Sequence, residues 1–405
     1  MQHSIRTKLT SEVKPVKKHA IIPIFIPHKG CPNDCVFCNQ KKITARQQAV
    51  TAEDVADIIE TYLPTLVNRG LETIEVAFFG GSFTGIPIED QSAYLAVAKK
   101  YKDEGKVDKI HLSTRPDYIN REILDNLRAY DVDVIELGVQ SFDEEVLRLS
   151  NRGHSADIVY ESCRLIKSYG FELGIQLMIG LPGDTMEKCL YSAMETVKIG
   201  PSIARLYPTI VIDDTELLEM CKRGEYEPLG LEEAIKRTMK MYNLLSDAGI
   251  TIIRVGLKST DVINEKGAVR GETFHPAFRQ LVEGRIAREF LEQALESRLR
   301  EEAAQGNHVQ HDALPCGSMR ADFKVQGRRE DSGEKPTGRA LGDRPCADVA
   351  GEAIFYGNSH CFSCMTGNGG INRKYFEEKY PGLRIRYACD DSLADNKYRV
   401  ELKEL

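Results

Sequence analysis

Apolar residues between positions 20 and 257 form short continuous runs that alternate with longer segments of helical periodicity. The runs are "IIPIFI" (21–26), "TIEVAFFG" (73–80), "KIHLST" (109–114), "VIELGVQ" (134–140), "ELGIQLMIG" (172–180) and "IARLYPTIV" (203–211). Runs with few polar interruptions are typical of parallel strands that are covered on both faces. The intervening segments predict helices over 51–70, 88–104, 120–130, 155–169, 184–198 and 231–248. Repeated strand–helix units of this kind indicate a parallel sheet, either open or closed into a barrel.

The first predicted helix carries its own start and stop signals. Thr51 and Asp54 have the spacing of a capping box, and Gly70 suits the end of the helix. Pro64 predicts a kink or a break, because proline removes a backbone donor and clashes with the preceding turn.

The pattern divides the chain into five segments: an extension (1–19), a barrel core (20–257), a helical extension (258–303), a linker (304–350) and a small α+β module (351–405). The linker is rich in Gly, Arg, Asp and Pro and poor in large apolar groups, which predicts disorder. The predicted fold class is therefore α/β, a partial (β/α)6 barrel followed by a small C-terminal α+β module.

Composition narrows the class of protein. The formal charge of the 405-residue chain is −7, which argues against a strongly basic nucleic-acid binder while leaving room for a local basic face. No apolar run approaches the roughly 18 residues of a membrane span, and the N-terminus lacks an apolar signal core. Eleven cysteines in such a chain are expected to be reduced thiols or metal ligands. We therefore expect a cytoplasmic protein that does not enter a membrane.

Unusual residues follow five of the predicted strands at equivalent places. They are Cys31, Cys35 and Cys38, then "GGSF" (80–83), "STRPD" (113–117), "VQS" (139–141) and "GLPG" (180–183). Loops after the strands of a βα barrel form its C-terminal face, where catalytic residues sit. Gly and Pro also punctuate ordinary turns, so each loop alone would be a weak signal.

The three cysteines lie within eight residues, and no second pair follows closely. A structural zinc site usually takes four protein ligands, whereas three thiolates suit a [4Fe–4S] cluster whose fourth iron stays open to a small molecule. A zinc site and inert core thiols remain the alternatives.

The Cys-x3-Cys-x2-Cys spacing, with Phe37 just before the last cysteine, resembles the signature of radical S-adenosylmethionine (SAM) enzymes. That resemblance implies that Cys31, Cys35 and Cys38 hold the cluster and that SAM is the second cofactor. It also implies reductive cleavage of SAM to a 5′-deoxyadenosyl radical that abstracts hydrogen from a substrate.

Other positions resemble residues that hold SAM in this family, including its oxygen-independent coproporphyrinogen oxidases. "GGSF" resembles the glycine-rich motif, and Gln140 and Arg152 resemble a glutamine and an arginine that contact the cofactor. At two positions where those oxidases carry acidic residues this chain has Ser113 and Gln176. The implied cofactor-binding residues are Phe37, Gly80, Gly81, Ser82, Ser113, Gln140, Arg152 and Gln176.

Over about residues 20–257 the chain resembles the radical domain of elongator catalytic subunits, which modify the wobble uridine of tRNA. "STRPDYI", "ELGVQS", "NRGH" and "LYPTIVIDDTEL" carry this resemblance. It implies a tRNA or other RNA substrate and an electron donor such as ferredoxin or flavodoxin. Residues 258–405 are too few and too interrupted for the acetyltransferase domain of those subunits, so we do not expect acetyl transfer.

The C-terminal module is predicted as strand, helix, "GNGG" (367–370), helix and strand. A GxxG loop between helices resembles a KH-type RNA-binding module. The resemblance implies RNA contacts at Gly367, Gly370, Arg373 and Lys374. A plain helical hairpin explains the same glycines.

A second metal site is a further hypothesis. It combines Cys361 and Cys364 with Cys316, Cys346 or Cys389. Alternatively, Cys361 and Cys364 are small core residues of a helix. For the whole chain, radical chemistry on a small metabolite and a non-catalytic RNA-binding protein with a structural metal remain the alternatives to RNA modification.

Overall fold

The computed structural model describes residues 19–26, 35–39, 50–259, 263–264, 267–304 and 351–403. The chain divides into two units, Met1–Val282 and Glu283–Leu405. Nearly all of the predicted N-terminal extension and of the predicted linker lies outside the described residues, so both stay predictions. Among the described helices, none is both long and apolar enough to cross a bilayer.

The first unit is built on a parallel sheet with the order β1-β2-β3-β4-β5-β6-β8. Its strands are β1 His19–Ile26, β2 Thr73–Gly80, β3 Lys109–Thr114, β4 Val134–Gln140, β5 Glu172–Ile179, β6 Ile203–Pro208 and β8 Thr251–Val255. Two short strands, β7 Val211–Ile212 and β9 Val269–Arg270, form a separate antiparallel pair. The prediction of about six units omitted β8, the seventh strand of the sheet.

The helices of the first unit alternate with these strands. They are α1 Ala52–Leu66, α2 Ile88–Asp103, α3 Arg121–Ala129, α4 Glu144–Leu149, α5 Ala156–Ser168, α6 Met186–Ile199, α7 Glu216–Lys222 and α8 Leu231–Asp247. A ninth helix, α9 Phe278–Ala304, begins here and continues into the second unit. Five predicted helices are confirmed to within two residues at each end, while α4 and α7 were not predicted.

The capping box of α1 is confirmed. The Thr51 backbone N–H donates to Asp54 Oδ2 at 2.8 Å, and the Asp54 backbone N–H donates to Thr51 Oγ1 at 3.2 Å. The helix continues past Pro64 and ends at Leu66, so the alternative of a break is wrong, and the alternative of a kink stays a prediction. Pro64 lies in the last turn of the helix, two residues before its end. Gly70 lies beyond that end.

The sheet is curled, as contacts across its inner face show. The Arg205 guanidinium on β6 lies 4.7 Å from the centroid of the Phe79 ring on β2, and Arg205 Nε donates to Glu136 on β4 at 2.5 Å. In a flat sheet four strand spacings would separate β2 from β6 by about 19 Å. The outer face packs apolar residues such as Ile22, Ile24 and Leu112 under the helices. The predicted partial barrel is therefore confirmed.

The second unit is a small α+β module. Its elements are the larger part of α9, β10 Gly351–Gly357, α10 Phe362–Thr366, α11 Ile371–Lys379, β11 Leu383–Cys389 and β12 Tyr398–Lys403. The sheet order is β11-β10-β12, with β10 parallel to β11 and antiparallel to β12. Leu291 and Leu295 of α9 share its hydrophobic core with Phe355 and Phe376. The strand β12 was not predicted.

Candidate functional site

The described part of the cysteine segment, residues 35–39, is held by three distant parts of the chain. The Val36 N–H donates to the Ser150 carbonyl at 3.2 Å, and the Leu217 N–H donates to the Val36 carbonyl at 2.7 Å. The Asn39 amide donates to the carbonyls of Asp213 and Asp214 at 3.2 and 3.3 Å. These bonds fix the segment beside the end of α4 and the start of α7.

Cys35 and Cys38 belong to one tight turn, in which the Cys38 N–H donates to the Cys35 carbonyl at 3.0 Å. Cys35 is buried and Cys38 is half-buried. Phe37, between them, packs against the apolar cluster of Val36 and Leu217. Cys31, the first member of the predicted triplet, lies outside the described residues.

Two arginines converge on the sulfur of Cys35. Arg152 Nη1 lies 3.2 Å from Cys35 Sγ, and Arg115 Nη1 lies 3.9 Å from the same atom. Arg115 also pairs with Asp117 through two bonds of 2.9 Å and donates to the Arg152 carbonyl. The loops after β3 and α4 are therefore tied together at this sulfur.

This arrangement fits an anionic iron–sulfur ligand. A thiolate gains from cationic donors, and hydrogen bonds to sulfur are among the features that set the potential of a cluster. Cys35 and Cys38 would hold two irons of a [4Fe–4S] cluster at this edge of the sheet. A buried structural thiol does not require two guanidinium groups.

Arg152 is buried, with 5% of its surface exposed, which excludes a solvated surface role. Its Nη2 donates to the Gly138 carbonyl at 2.5 Å. Nearby His154 is also buried, and burial together with the Arg152 charge lowers the pKa of its imidazole to about 4. His154 is therefore neutral at pH 7.

The glycine-rich motif after β2 meets the end of β1. Gly80 has φ of +113°, and a Cβ there would lie 2.5 Å from the Ile26 carbonyl oxygen. The Gly81 N–H donates to that same oxygen at 3.1 Å. Ser82 Oγ accepts from the Arg115 N–H at 3.0 Å and contacts Thr114 Oγ1 at 2.9 Å. The Ser82 hydroxyl thus joins the loops after β2 and β3.

Gln140 ends β4 in a conformation that is rare for a side-chain-bearing residue. Its φ is +72°, and the register between β4 and β5 shifts at this point. Such backbone strain persists where the surroundings over-determine it, and it clusters at ligand sites. Gln176 Nε2 donates to Gln140 Oε1 at 3.2 Å, which brings these two candidates together. Ser113 lies near the end of β3 and is partly exposed.

The sequence reasoning missed Arg115, although "STRPD" was recognised as a motif. The available signal was the closely spaced pair of Arg115 and Asp117 in the loop after a buried strand, because arginine is rarely fully buried without a partner. Its 4% exposure and its contact with Cys35 make it a member of the candidate site.

The "GNGG" loop of the second unit joins α10 to α11, as predicted. Gly367 has φ of +75°, and a Cβ there would lie 2.7 Å from Ile371 Cγ2, whereas Gly370 faces open space. The Arg373 guanidinium lies 5.3 Å from the Tyr387 ring centroid. The Lys374 side chain is exposed and lies 3.7 Å from Glu378. The geometry of a GxxG turn is present, and RNA contact stays a prediction.

The cysteines of this unit contribute to its core. Cys361 and Cys364 belong to the hydrophobic cluster, and Cys361 Sγ accepts from the Asn396 N–H at 3.1 Å. His360 and Asp395 lie close enough to Cys361 to share an ion, but both are exposed. Cys389 is exposed, and Cys316 and Cys346 lie outside the described residues. A second metal site stays a hypothesis.

Comparison with protein families finds two adjoining matches. Residues 25–192 match the radical SAM superfamily, and residues 201–288 match the radical SAM C-terminal domain. Together the matches cover more than half of the chain.

Curated relatives of the chain include tRNA uridine(34) acetyltransferases and elongator complex protein 3. The chain is 26% identical over 299 residues to a tRNA uridine(34) acetyltransferase of Methanocaldococcus infernus, covering 62% of this chain and 56% of the relative. It is 28% identical over 304 residues to elongator complex protein 3 of Dictyostelium discoideum, covering 61% and 54%. The chain thus spans little more than half the length of these relatives.

Among solved structures, the archaeal Methanocaldococcus infernus Elp3 with an N-terminal deletion has a similar fold. The TM-score is 0.54 at 23% identity, over 68% of this chain and 64% of that one. This likeness supports the curled parallel sheet described above.

Proposed function

Because the chain belongs to the radical SAM superfamily, we propose that it cleaves SAM reductively to modify RNA, with tRNA as the substrate. As a radical SAM enzyme it has a [4Fe–4S] cluster and SAM as its cofactors. The observation that carries this proposal is the convergence of Arg152 and Arg115 on Cys35, within the cysteine turn at the C-terminal edge of the sheet. When bound, the cluster would supply the electron for the reductive cleavage of SAM.

The residues of this chain take separate roles. Cys31, Cys35 and Cys38 would ligate three irons, and the two arginines offset the negative charge of the sulfur ligands. Gly80 and Gly81 are proposed to meet the methionine part of SAM through their backbone, while the missing side chain of Gly80 makes room for the Ile26 carbonyl oxygen of β1. The remaining residues proposed to line the SAM site are Phe37, Ser82, Ser113, Gln140, Arg152 and Gln176.

The substrate proposal rests on the relatives. Two groups of them are named for tRNA uridine modification or for the elongator complex. In the second unit, Gly367, Gly370, Arg373 and Lys374 would meet an RNA backbone at the GxxG loop. A ferredoxin or flavodoxin would supply the electron.

The cluster assignment is tested by Cys38→Ala. The variant, reconstituted anaerobically, should lose most of its iron and should form no 5′-deoxyadenosine from SAM. Cys163→Ala is the matched control, because Cys163 is a buried thiol of α5 at 2% exposure. Full cleavage of SAM by the Cys38 variant would defeat the assignment.

The RNA assignment is tested with unmodified tRNA transcripts. Incubation with the reconstituted enzyme, SAM and a reductant should yield a modified nucleoside that mass spectrometry detects after digestion. Absence of both binding and modification would favour a small-metabolite substrate and would leave the cluster assignment intact.

A further inference from the structure

Three side chains that can ligate a metal, each of a different chemistry, lie together in the second unit. His360 and Cys361 follow β10, and Asp395 belongs to the loop between β11 and β12. One ligand atom from each of the three lies within 4.8 Å of the other two. The group therefore links the connection after β10 to the loop before β12.

The distances and the donor atoms suit a zinc ion. His360 Nδ1 lies 3.7 Å from Asp395 Oδ1, which is longer than a hydrogen bond. Two ligand atoms that bind a tetrahedral zinc ion at about 2.1 Å lie about 3.4 Å from each other. Thiolate, imidazole and carboxylate groups all bind zinc, whereas Mg²⁺ and Ca²⁺ prefer oxygen ligands alone.

A buried amide holds two of the three groups. Asn358 is 9% exposed, and its Oδ1 accepts from the Cys361 N–H at 2.9 Å. Its Nδ2 donates to Asp395 Oδ1 at 2.7 Å and to the Leu393 carbonyl at 3.2 Å. Side chains that lie behind metal ligands commonly orient them in this way. Asn358 thus fixes the positions of Cys361 and Asp395 relative to each other.

The surroundings of the Cys361 sulfur favour a bound cation. Cys361 Sγ accepts from the Asn396 N–H at 3.1 Å, and such a bond stabilises a thiolate. Burial raises the pKa of the thiol, the Asn396 N–H lowers it, and the negative charges of Asp395 and Glu283 raise it, so that the net direction is upward. A zinc ion would displace the thiol proton and would offset these negative charges.

We propose that His360, Cys361 and Asp395 bind a zinc ion through Nδ1, Sγ and a carboxylate oxygen, with the fourth position open to water. Cys361 is 2% exposed and forms the buried end of the site, whereas the side chains of His360 and Asp395 are 62% and 65% exposed and form its rim. The ion would hold the two loops together and so stabilise the second unit. This ligand set contains no cysteine other than Cys361, and it does not depend on the proposed RNA substrate.

Zinc content and X-ray absorption of the holoenzyme test this site. The protein with its reconstituted iron–sulfur cluster is equilibrated anaerobically with zinc, passed over a chelating resin and analysed for metals. We expect about one zinc per chain in addition to the cluster iron, with one sulfur at about 2.3 Å and nitrogen or oxygen at about 2.0–2.2 Å from the zinc. A zinc environment with two or more sulfurs, or no retained zinc, would overturn the proposal.

Variants of the two exposed ligands give the decisive comparison, because they leave the core of the unit unchanged. His360→Ala and Asp395→Asn should each weaken zinc binding by at least about tenfold, measured by competition with a zinc-binding dye, since even the loss of an outer partner has an effect of that size. Cys389→Ala is the matched control, because Cys389 is an exposed thiol of the same unit. Wild-type affinity in folded His360→Ala would overturn the proposal, as would an equal loss in Cys389→Ala.

Hydrogen exchange followed by mass spectrometry locates the ion in the chain. Zinc should slow the exchange of backbone amides in residues 358–361 and 390–397 of the wild type, because a metal that binds the folded state stabilises the segments that hold it. The same segments of His360→Ala should not respond to zinc. Protection confined to other segments of the wild type would overturn the proposal.

Discussion

Gly80 has two separate reasons to be glycine: its φ of +113°, and the distance of only 2.5 Å that would separate a Cβ at this position from the Ile26 carbonyl oxygen. Gly80→Ala should lower the free energy of unfolding by about 2–5 kcal/mol, because strain and overpacking add. Gly105→Ala is the reference for a glycine in the ordinary left-handed region without a close neighbour, since Gly105 has φ of +68° and open space around it. Urea denaturation of both variants gives the difference. Equal losses would refute the contact with β1.

The buried imidazole of His154 predicts a pH dependence of stability. Its pKa falls from 6.5 in the unfolded chain to about 4, because burial and the Arg152 charge disfavour the protonated form. The unfolded chain therefore binds the proton first as the pH falls, and stability is lost between about pH 6.5 and 4. Between about pH 7.5 and 5 the loss should be about 2 kcal/mol. His154→Gln should remove this part of the pH dependence of the unfolding free energy, measured from anaerobic denaturation curves. If the unfolding free energy of the variant falls with pH as steeply as that of the wild type, the prediction is wrong.

Single residues also show how much of the candidate site could be predicted from the sequence. Cys35, Cys38 and Arg152 were predicted as site residues because their types and spacing follow a recognisable motif. Arg115 was not, since its role depends on which loops the sheet brings together. Ser82 was predicted as a cofactor residue, and its hydroxyl is found bonding Arg115 and Thr114. Short-range sequence patterns cannot reveal which distant atom a side chain will meet.

At the scale of elements, periodicity predicted the longer helices and the first six strands of the sheet. The helices α4 and α7 are only six and seven residues long, too short for a periodic signal. The strand β8 has only five residues, whereas β12, "YRVELK", alternates apolar and polar groups as a half-buried strand does, and this alternation was an available signal. Capping residues Asp143 and Thr215 precede the two missed helices and were the available signals.

Asn372 in α11 ties three helices of the second unit together. Its amide donates to the Gly284 carbonyl of α9 at 2.7 Å and to the Cys364 carbonyl of α10 at 2.9 Å. Asn372→Ala should cost about 1–3 kcal/mol of unfolding free energy, because two buried carbonyls lose this donor. Lys374→Ala, on an exposed position of the same helix, should change it by less than about 0.5 kcal/mol. Thermal melts of the two variants give the loss of unfolding free energy in each. Similar losses would show that the hydrogen bonds of the Asn372 amide contribute little.

At the scale of the whole molecule, Arg115 links the loops after β3 and α4 to the cysteine turn. Arg115→Met should leave Asp117 without its bidentate partner and should remove a positive charge near Cys35 Sγ. A cluster gains negative charge on reduction, so its reduction potential should fall by up to about 60 mV, the one-electron equivalent of 1.4 kcal/mol.

An anaerobic redox titration monitored by electron paramagnetic resonance measures this shift. Arg128→Met is the matched control, because Arg128 is exposed and stacks on Tyr169 away from the cysteines. A potential equal to that of the wild type would limit Arg115 to holding the loops.

The bonds that anchor residues 36 and 39 have a consequence for protein synthesis. Their partners at Asp213, Asp214 and Leu217 are translated about 175 positions later than the cysteine turn. At about 5–20 residues per second, the ribosome needs roughly 9–35 seconds to reach them. During that interval the thiols have emerged without their final anchors and are open to oxidation or to the wrong metal. The anchors of the cysteine turn are therefore complete only after the start of α7 has been synthesised.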